Sequence, residues 1–144
     1  MVQSIREGVD EMILITGGSG FLGSHIVQRL VGLGKDVRVL VRSQERADRE
    51  GRLAGLPVEW FPGDVTEVAS LQPALAGVDR VVHTAAIAVE KGQGTYEAVN
   101  YRGTVHLVDA AQAAGVRRFI NISQLGADPD LPYRFLASKG RAQR

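Results

Sequence analysis

The run Thr16-Gly17-Gly18-Ser19-Gly20-Phe21-Leu22-Gly23 sets Gly17, Gly20 and Gly23 at a G-x-x-G-x-x-G spacing. Before it stands Met12-Ile13-Leu14-Ile15-Thr16, a short apolar run with β-branched members that suits a strand buried on both faces. After it, Phe21 to Gly34 carries Leu22, Ile26, Leu30 and Leu33 at helical spacing, with Gly34 as the expected stop. Each glycine has a physical task. Gly17 lets the chain turn sharply off the strand, Gly20 offers no side chain to block a pyrophosphate, and Gly23 lets the helix pack close to the sheet. The helix then points its free N–H groups and the positive end of its dipole at the phosphates. The backbone of the whole loop, Phe21 and Leu22 included, is expected to hold a dinucleotide. Gly18 and Ser19 are expected to add amide or hydroxyl contacts, a helix cap being the other reading of Ser19. Glycines also mark ordinary turns, but a strand before the loop and a helix after it are the context the motif needs.

Outward from the loop, strands and helices alternate. Val37–Val41 reads as a second strand, Ser43–Ala54 as a short polar helix and Pro57–Phe61 as a weaker third strand. Thr66 is placed to cap a helix running to about Ala76, with Leu71 and Leu75 inward. Arg80–Thr84 is the fourth strand, Thr95–Ala114 a long helix ended by Gly115, and Arg118–Ser123 the fifth strand. Gly126–Pro132 is a turn-rich loop and Tyr133–Arg144 the opening of another helix. Strands separated by helices imply an α/β fold of the Rossmann type, a doubly wound parallel sheet with strand order 3-2-1-4-5. Residues 1–11 read as a lead-in and residues 12–144 as one NAD(P)-binding domain, incomplete at its C-terminus, where the chain stops inside a helix before any substrate region.

Composition narrows the function. At 144 residues, with 44% hydrophobic and 23% charged residues, the chain is long enough to bury a core. A net charge of +1 gives no electrostatic case for nucleic acid or an anionic membrane surface. The absence of cysteine excludes disulfides, thiolate catalysis and Cys-ligated metal. No apolar run approaches the roughly 18 residues of a membrane span, and MVQSIREGVDE at the start has no apolar signal core. A cytoplasmic protein is expected. His25, His83 and His106 show no metal-binding spacing; His25 and His106 read as surface or packing residues, and the backbone of His83 as more important than its ring.

The end of the second strand selects the dinucleotide. An acid there accepts from the ribose 2′-hydroxyl of NAD, and an arginine pairs with the 2′-phosphate of NADP. The chain has Val41-Arg42-Ser43, with no acid until Glu45. Arg42 is therefore the expected phosphate clamp, with Ser43 or Arg46 as helpers, and NADP(H) is favoured over NAD(H). The plain alternative is a solvated arginine at a strand end. After the third strand, Gly63-Asp64-Val65 offers a carboxylate for the adenine amine with the Val65 backbone beside it; alternatively Asp64 starts the next turn or shares capping with Thr66.

These residues resemble the extended and atypical short-chain dehydrogenase/reductase families, from Ile13 to about Lys139. TGGSGFLG is similar to the extended-type TGxxGxxG loop, and Gly63-Asp64-Val65 to the family's adenine-contacting pair. His83-Thr84-Ala85-Ala86 resembles H-x-A-A at the end of the fourth strand, which implies that the backbone of Thr84, Ala85 and Ala86 lines the cofactor. Asn100-Tyr101-Arg102-Gly103-Thr104 resembles N-x-x-G-T, and Phe119-Ile120-Asn121-Ile122-Ser123 the strand ending in the active-site serine. Within the NAD-dependent epimerase/dehydratase group, Ser123 to Ala127 and Ser138-Lys139-Gly140 resemble NmrA-like proteins and the NAD(P)-binding accessory subunit of respiratory complex I. Asn100 reads either as holding a water or backbone near the site or as a plain helix-surface residue.

The resemblance implies catalysis by Ser, Tyr and Lys, the last two as Y-x-x-x-K. Ser123 and Lys139 are present, but Phe135 stands four residues before the lysine and cannot move a proton. Tyr133 lies six residues before Lys139, on a different side of a helix, and substitutes as the catalytic tyrosine only if the loop before the helix bends it inward. Cofactor binding by Gly17–Gly23, Arg42, Ser43, Asp64, Val65, Thr84–Ala86, Asn100, Ile122, Ser123 and Lys139 is thus expected. Carbonyl reduction or epimerisation through a tyrosine acid is not expected. Two functions remain: an NADP(H)-linked oxidoreductase passing hydride to an acceptor that needs no enzyme acid, such as a quinone or flavin, or a non-catalytic NADP(H)-binding regulator or assembly subunit. A homo-oligomer or a place in a larger complex fits either.

Overall fold

The computed structural model describes residues 11–144; the lead-in read over residues 1–11 lies outside them except for Glu11. Five strands, β1 (Met12–Thr16), β2 (Asp36–Val41), β3 (Glu59–Pro62), β4 (Val78–His83) and β5 (Arg118–Asn121), form one sheet in the order β3-β2-β1-β4-β5. All pairings are parallel. The connecting helices are α1 (Phe21–Gly32), α2 (Gln44–Glu50), α3 (Val68–Ala74) and α4 (Gly103–Ala113), with α5 (Arg134–Arg141) after β5. The expected doubly wound Rossmann sheet is therefore present, and its strand order reverses between β1 and β4, where such folds place their ligand.

Alternation along β1 sends side chains to opposite faces. Leu14 joins Leu40, Leu71, Leu75, Val81 and Leu107 on one side, while Ile13 and Ile15 join Val27, Val37 and Val39 on the other. Trp60 and Phe61 pack at the edges of these two clusters, one on each face.

The structure corrects the sequence reading in several places. The apolar stripe expected on α1 is rotated: Leu22 and Leu33 are 49% and 55% exposed, and the inward face is Gly23, Ser24 and Val27, with Ile26 and Leu30 at its margin. The last helical residue of α1 is Gly32, with Gly34 left-handed beyond the cap as the expected stop, and α2 ends earlier than expected, at Glu50, where Gly51 takes the left-handed conformation. Thr66 caps no helix; α3 begins at Val68, and Thr66 instead donates its N–H and its hydroxyl to Asp64 Oδ1, both at 2.8 Å. Ser19 does not cap α1, whose first turn is preceded by Gly20 without a side-chain cap. The long helix expected from Thr95 is not uniformly α-helical: Tyr96–Arg102 is π-helical and α4 follows from Gly103. Gly103 lies so close to the β3–α3 connection that a Cβ there would be 2.7 Å from Val65 Cγ2. The fifth strand ends at Asn121, which leaves Ile122 and Ser123 in the loop beyond it.

The rotation of α1 is testable. Val27→Ala is expected to lower unfolding free energy by about 2 kcal/mol, because the side chain is fully buried. Leu33→Ala should stay within about 0.5 kcal/mol. Urea denaturation of both variants checks this, and equal losses would restore the stripe read from periodicity.

Candidate functional site

The loop after β1 turns on glycine for steric reasons. Gly17 has φ +68°, and a Cβ on it would lie 2.6 Å from Thr84 Oγ1 and 2.7 Å from the Ala85 nitrogen. Gly20 N–H donates to the Gly17 carbonyl at 3.0 Å and closes the turn. A Cβ on Gly23 would lie 2.1 Å from that same carbonyl oxygen, so only glycine lets α1 start against the loop. Gly18 is buried against Val39 and Val27 and faces the core, whereas Gly17, Ser19 and Gly20 face the cleft. Ser24 N–H bonds the Gly20 carbonyl, while the N–H groups of Phe21, Leu22 and Gly23 have no acceptor among the described residues. Three donors thus converge at the positive end of a helix dipole, the arrangement that accepts phosphate oxygens.

These donors open into a cleft of about 610 Å³, within the range of small-molecule sites. It is lined by Gly17, Ser19 to Gly23, Thr84, Ala85, Ala86 and Ile87, by Arg42, Ser43, Arg46, Glu50 and Arg52, and by Asp64 and Val65. Arg42 is exposed and makes no ion pair among the described residues. Ser43 caps α2, its Oγ accepting from Arg46 N–H at 3.2 Å. Asp64 does start a turn through Oδ1, as one reading had it, and it also lines the cleft as the other required.

Behind the cleft runs a buried polar chain that sequence reasoning did not find. The Thr104 hydroxyl donates to the Asn100 carbonyl at 2.9 Å, so it receives the Nε2 proton of His83, 2.9 Å away. His83 Nδ1 is then the acceptor for the Thr16 hydroxyl at 2.5 Å. The Thr16 oxygen in turn accepts Ala85 N–H at 3.3 Å. The histidine ring is thus engaged at both nitrogens, which the sequence reading did not foresee, while the His83 carbonyl accepts Ile122 N–H at 3.0 Å. Burial, with the positive Lys139 nearby, pushes His83 from 6.5 down to about 4 and keeps it neutral. Asn100 is fully buried, and the surface reading is wrong for it: Oδ1 accepts Ile87 N–H at 2.8 Å and Nδ2 donates to the Ile87 carbonyl at 3.0 Å. It thereby fixes the backbone beside Thr84–Ala86, the role the alternative reading gave it.

At the far end, Lys139 is buried and its Nζ donates to the Ile122 carbonyl at 2.8 Å; burial lowers its pKa. Ser123 Oγ accepts a hydrogen bond from Gln143 Nε2. Phe135 packs edge-on against Tyr96 with ring centroids 5.8 Å apart. Tyr133 is 67% exposed at the start of α5. Ser123, Lys139 and Asn100 lie outside the cleft wall itself. Arg52 was also missed: its guanidinium donates to the Ser19 carbonyl at 3.0 Å across a gap of 33 residues.

A family model described as NAD(P)H-binding matches residues 17–142, nearly the whole of this geometry. The chain belongs to this NAD(P)H-binding family, within the extended short-chain dehydrogenase/reductase superfamily. Sterol demethylase protein B of Methylococcus capsulatus is 39% identical over 117 residues, covering 79% of this chain and 34% of that protein. The 3 beta-hydroxysteroid dehydrogenase/Delta 5-->4-isomerase of Mycobacterium tuberculosis is 33% identical over 139 residues, covering 84% and 36%. A short-chain dehydrogenase/reductase superfamily protein from Agrobacterium tumefaciens, solved with bound NAD, superposes with a TM-score of 0.74 at 27% identity, over 92% of this chain and 43% of that one. The chain spans about a third of the length of the curated relatives it matches. It is an NAD(P)-binding domain of this short-chain dehydrogenase/reductase family, and among the described residues no helix is long and apolar enough to cross a membrane.

The neutral His83 makes this NAD(P)H-binding domain sensitive to acid. Its folded pKa lies below the ordinary value, so the unfolded chain takes up the proton first as pH falls. Stability is complete above about pH 6.5 and declines between about 6.5 and 4, by on the order of 3 kcal/mol. Urea melts across this window check it. His83→Gln should flatten the slope, and an unchanged slope in that variant would assign the acid loss elsewhere.

Proposed function

We propose that the chain is the NADP(H)-binding domain of an atypical short-chain dehydrogenase/reductase that works without the usual tyrosine acid. The observation that carries this reading is a single cleft joining the free amides of Phe21, Leu22 and Gly23 to the unpaired guanidinium of Arg42. The amides suit a pyrophosphate, and Arg42 suits a 2′-phosphate, which it meets as a planar two-pronged donor. Asp64 and Val65 flank the adenine region, and Thr84, Ala85 and Ala86 supply backbone toward the nicotinamide, with Ile122, Ser123 and Lys139 beyond. When bound, the nicotinamide supplies hydride chemistry. The protein's own residues hold the dinucleotide, orient it, and offer Ser123 and Lys139 as polar groups near its reactive end.

With Phe135 one helical turn before Lys139, no phenol occupies the position of the family's proton donor. The reading therefore favours an acceptor needing no enzyme acid, such as a quinone or flavin. The same observation supports a second reading, an NADP(H)-loaded regulator or assembly subunit without turnover. The two separate when the full-length protein is incubated with NADPH and a panel of quinones, flavins and carbonyls: oxidation of NADPH supports the enzyme, and tight binding without oxidation supports the regulator. A cytoplasmic location and assembly with itself or a larger complex belong to the same proposal.

The cofactor preference has its own test. Arg42→Asp is expected to weaken NADPH binding on the order of tenfold or more, the worth of a lost charge-assisted bond plus a new repulsion. NADH binding should be spared or improved. Calorimetric titration of both nucleotides decides it, and equal loss of both, or no change, would defeat the assignment.

A further inference from the structure

Glu50 stands in the last turn of α2, where the helix dipole disfavours an acid. Two arginines compensate it. Arg46 Nε lies 3.3 Å from Glu50 Oε1, and a guanidinium nitrogen of Arg52 lies 3.2 Å from Oε2, so each carboxylate oxygen holds one cation. All three residues line the same cleft as Arg42 and Ser43. Arg52 bonds the Ser19 carbonyl as well, which ties this group to the phosphate loop.

We propose that Glu50 is a built-in rival of the 2′-phosphate: in the free protein it holds Arg46 and Arg52 at the rim of the cleft, and an incoming phosphate takes their charge from it. This rests on the NADP(H) reading above. The pairs are exposed enough, at 69% for Arg46 and 44% for Arg52, to be weak and exchangeable. A phosphate monoester carrying about −1.5 to −2 charges and three acceptor oxygens outcompetes a single carboxylate for such donors. The neutral 2′-hydroxyl of NAD cannot. Glu50 thus sets how strongly the cleft discriminates between the two dinucleotides: it subtracts one charge from the three arginines that a 2′-phosphate would otherwise meet. Arg52 has a second part as a positioning residue, since its bond to Ser19 fixes the peptide whose N–H, on Gly20, closes the turn onto Gly17.

The test is calorimetry of NADPH and NADH on the full chain as wild type, Glu50→Gln and Glu50→Ala. Removing the carboxylate should raise the ratio of the NADH Kd to the NADPH Kd about fivefold or more. It should also steepen the salt dependence of NADPH binding, as freed guanidiniums meet the phosphate. Arg46→Gln in the same background should cancel most of the gain. A ratio that stays level or falls in both Glu50 variants overturns the rivalry. Should Arg42→Asp collapse the ratio while the Glu50 variants leave it level, only this inference fails. Should Arg42→Asp leave the ratio unaltered, the NADP(H) reading fails and this inference falls with it.

Discussion

The Cα of Gly23 rests against the Gly17 carbonyl so closely that any side chain would collide with it. Most of the site follows from that contact. It fixes the rotational phase of α1, so Val27 points into the sheet while Phe21 and Leu22 are turned toward the cleft mouth. It leaves the first amides of the helix facing open space with nothing to bond. It also holds the turn in which Gly20 bonds back to Gly17, and Gly17 in turn sits under Thr84 and Ala85 at the end of β4. Two strand ends and a helix start are thereby locked together at the reversal point of the sheet.

The second constraint is polar. Thr16, His83, Thr104 and Asn100 form a buried chain from the end of β1 through β4 into the π-helical segment and on to Ile87. A buried polar group without a partner costs about 1–3 kcal/mol, so every member must be satisfied for the chain to persist. Here one tautomer satisfies them: His83 donates at Nε2, accepts at Nδ1 and carries no charge. The π-helical segment contributes by placing Asn100 at zero exposure, where its amide reads both backbone groups of Ile87. Irregular helix at such a place is a frequent companion of function.

How much of this was legible depended on the range of the interaction. The strands and the glycine loop were readable because their determinants are local: apolar runs, glycine spacing, a helix after a strand; their order followed from the usual topology of alternating strands and helices. The face of α1 was misread because periodicity reveals an apolar stripe at Leu22, Ile26, Leu30 and Leu33, but only the Gly23–Gly17 contact decides which way the helix turns. Thr66 looked like a cap because a hydroxyl before a helix normally is one; Asp64, two residues earlier, captured it. Arg52, Glu50 and the ring of His83 were invisible for another reason. The partners of Arg52 and of the His83 ring lie far away in sequence, at Ser19, Thr16 and Thr104, and no spacing rule encodes such pairs; the Glu50–Arg46 pair has ordinary i,i+4 helix spacing, and what the sequence does not show is that it faces the cleft. Asn100 was readable only as one of two alternatives, and burial chose between them.

The central claim is that a dinucleotide pyrophosphate is received by the amides at the mouth of α1. It is tested most directly by following the backbone amide resonances of the ¹⁵N-labelled chain as NADPH is added. The account predicts that the amides of Phe21, Leu22 and Gly23 shift most and gain protection from exchange at the stoichiometric point, as new acceptors reach them. If these three amides stay still while NADPH binds and others move, the cofactor is held elsewhere and the account is wrong.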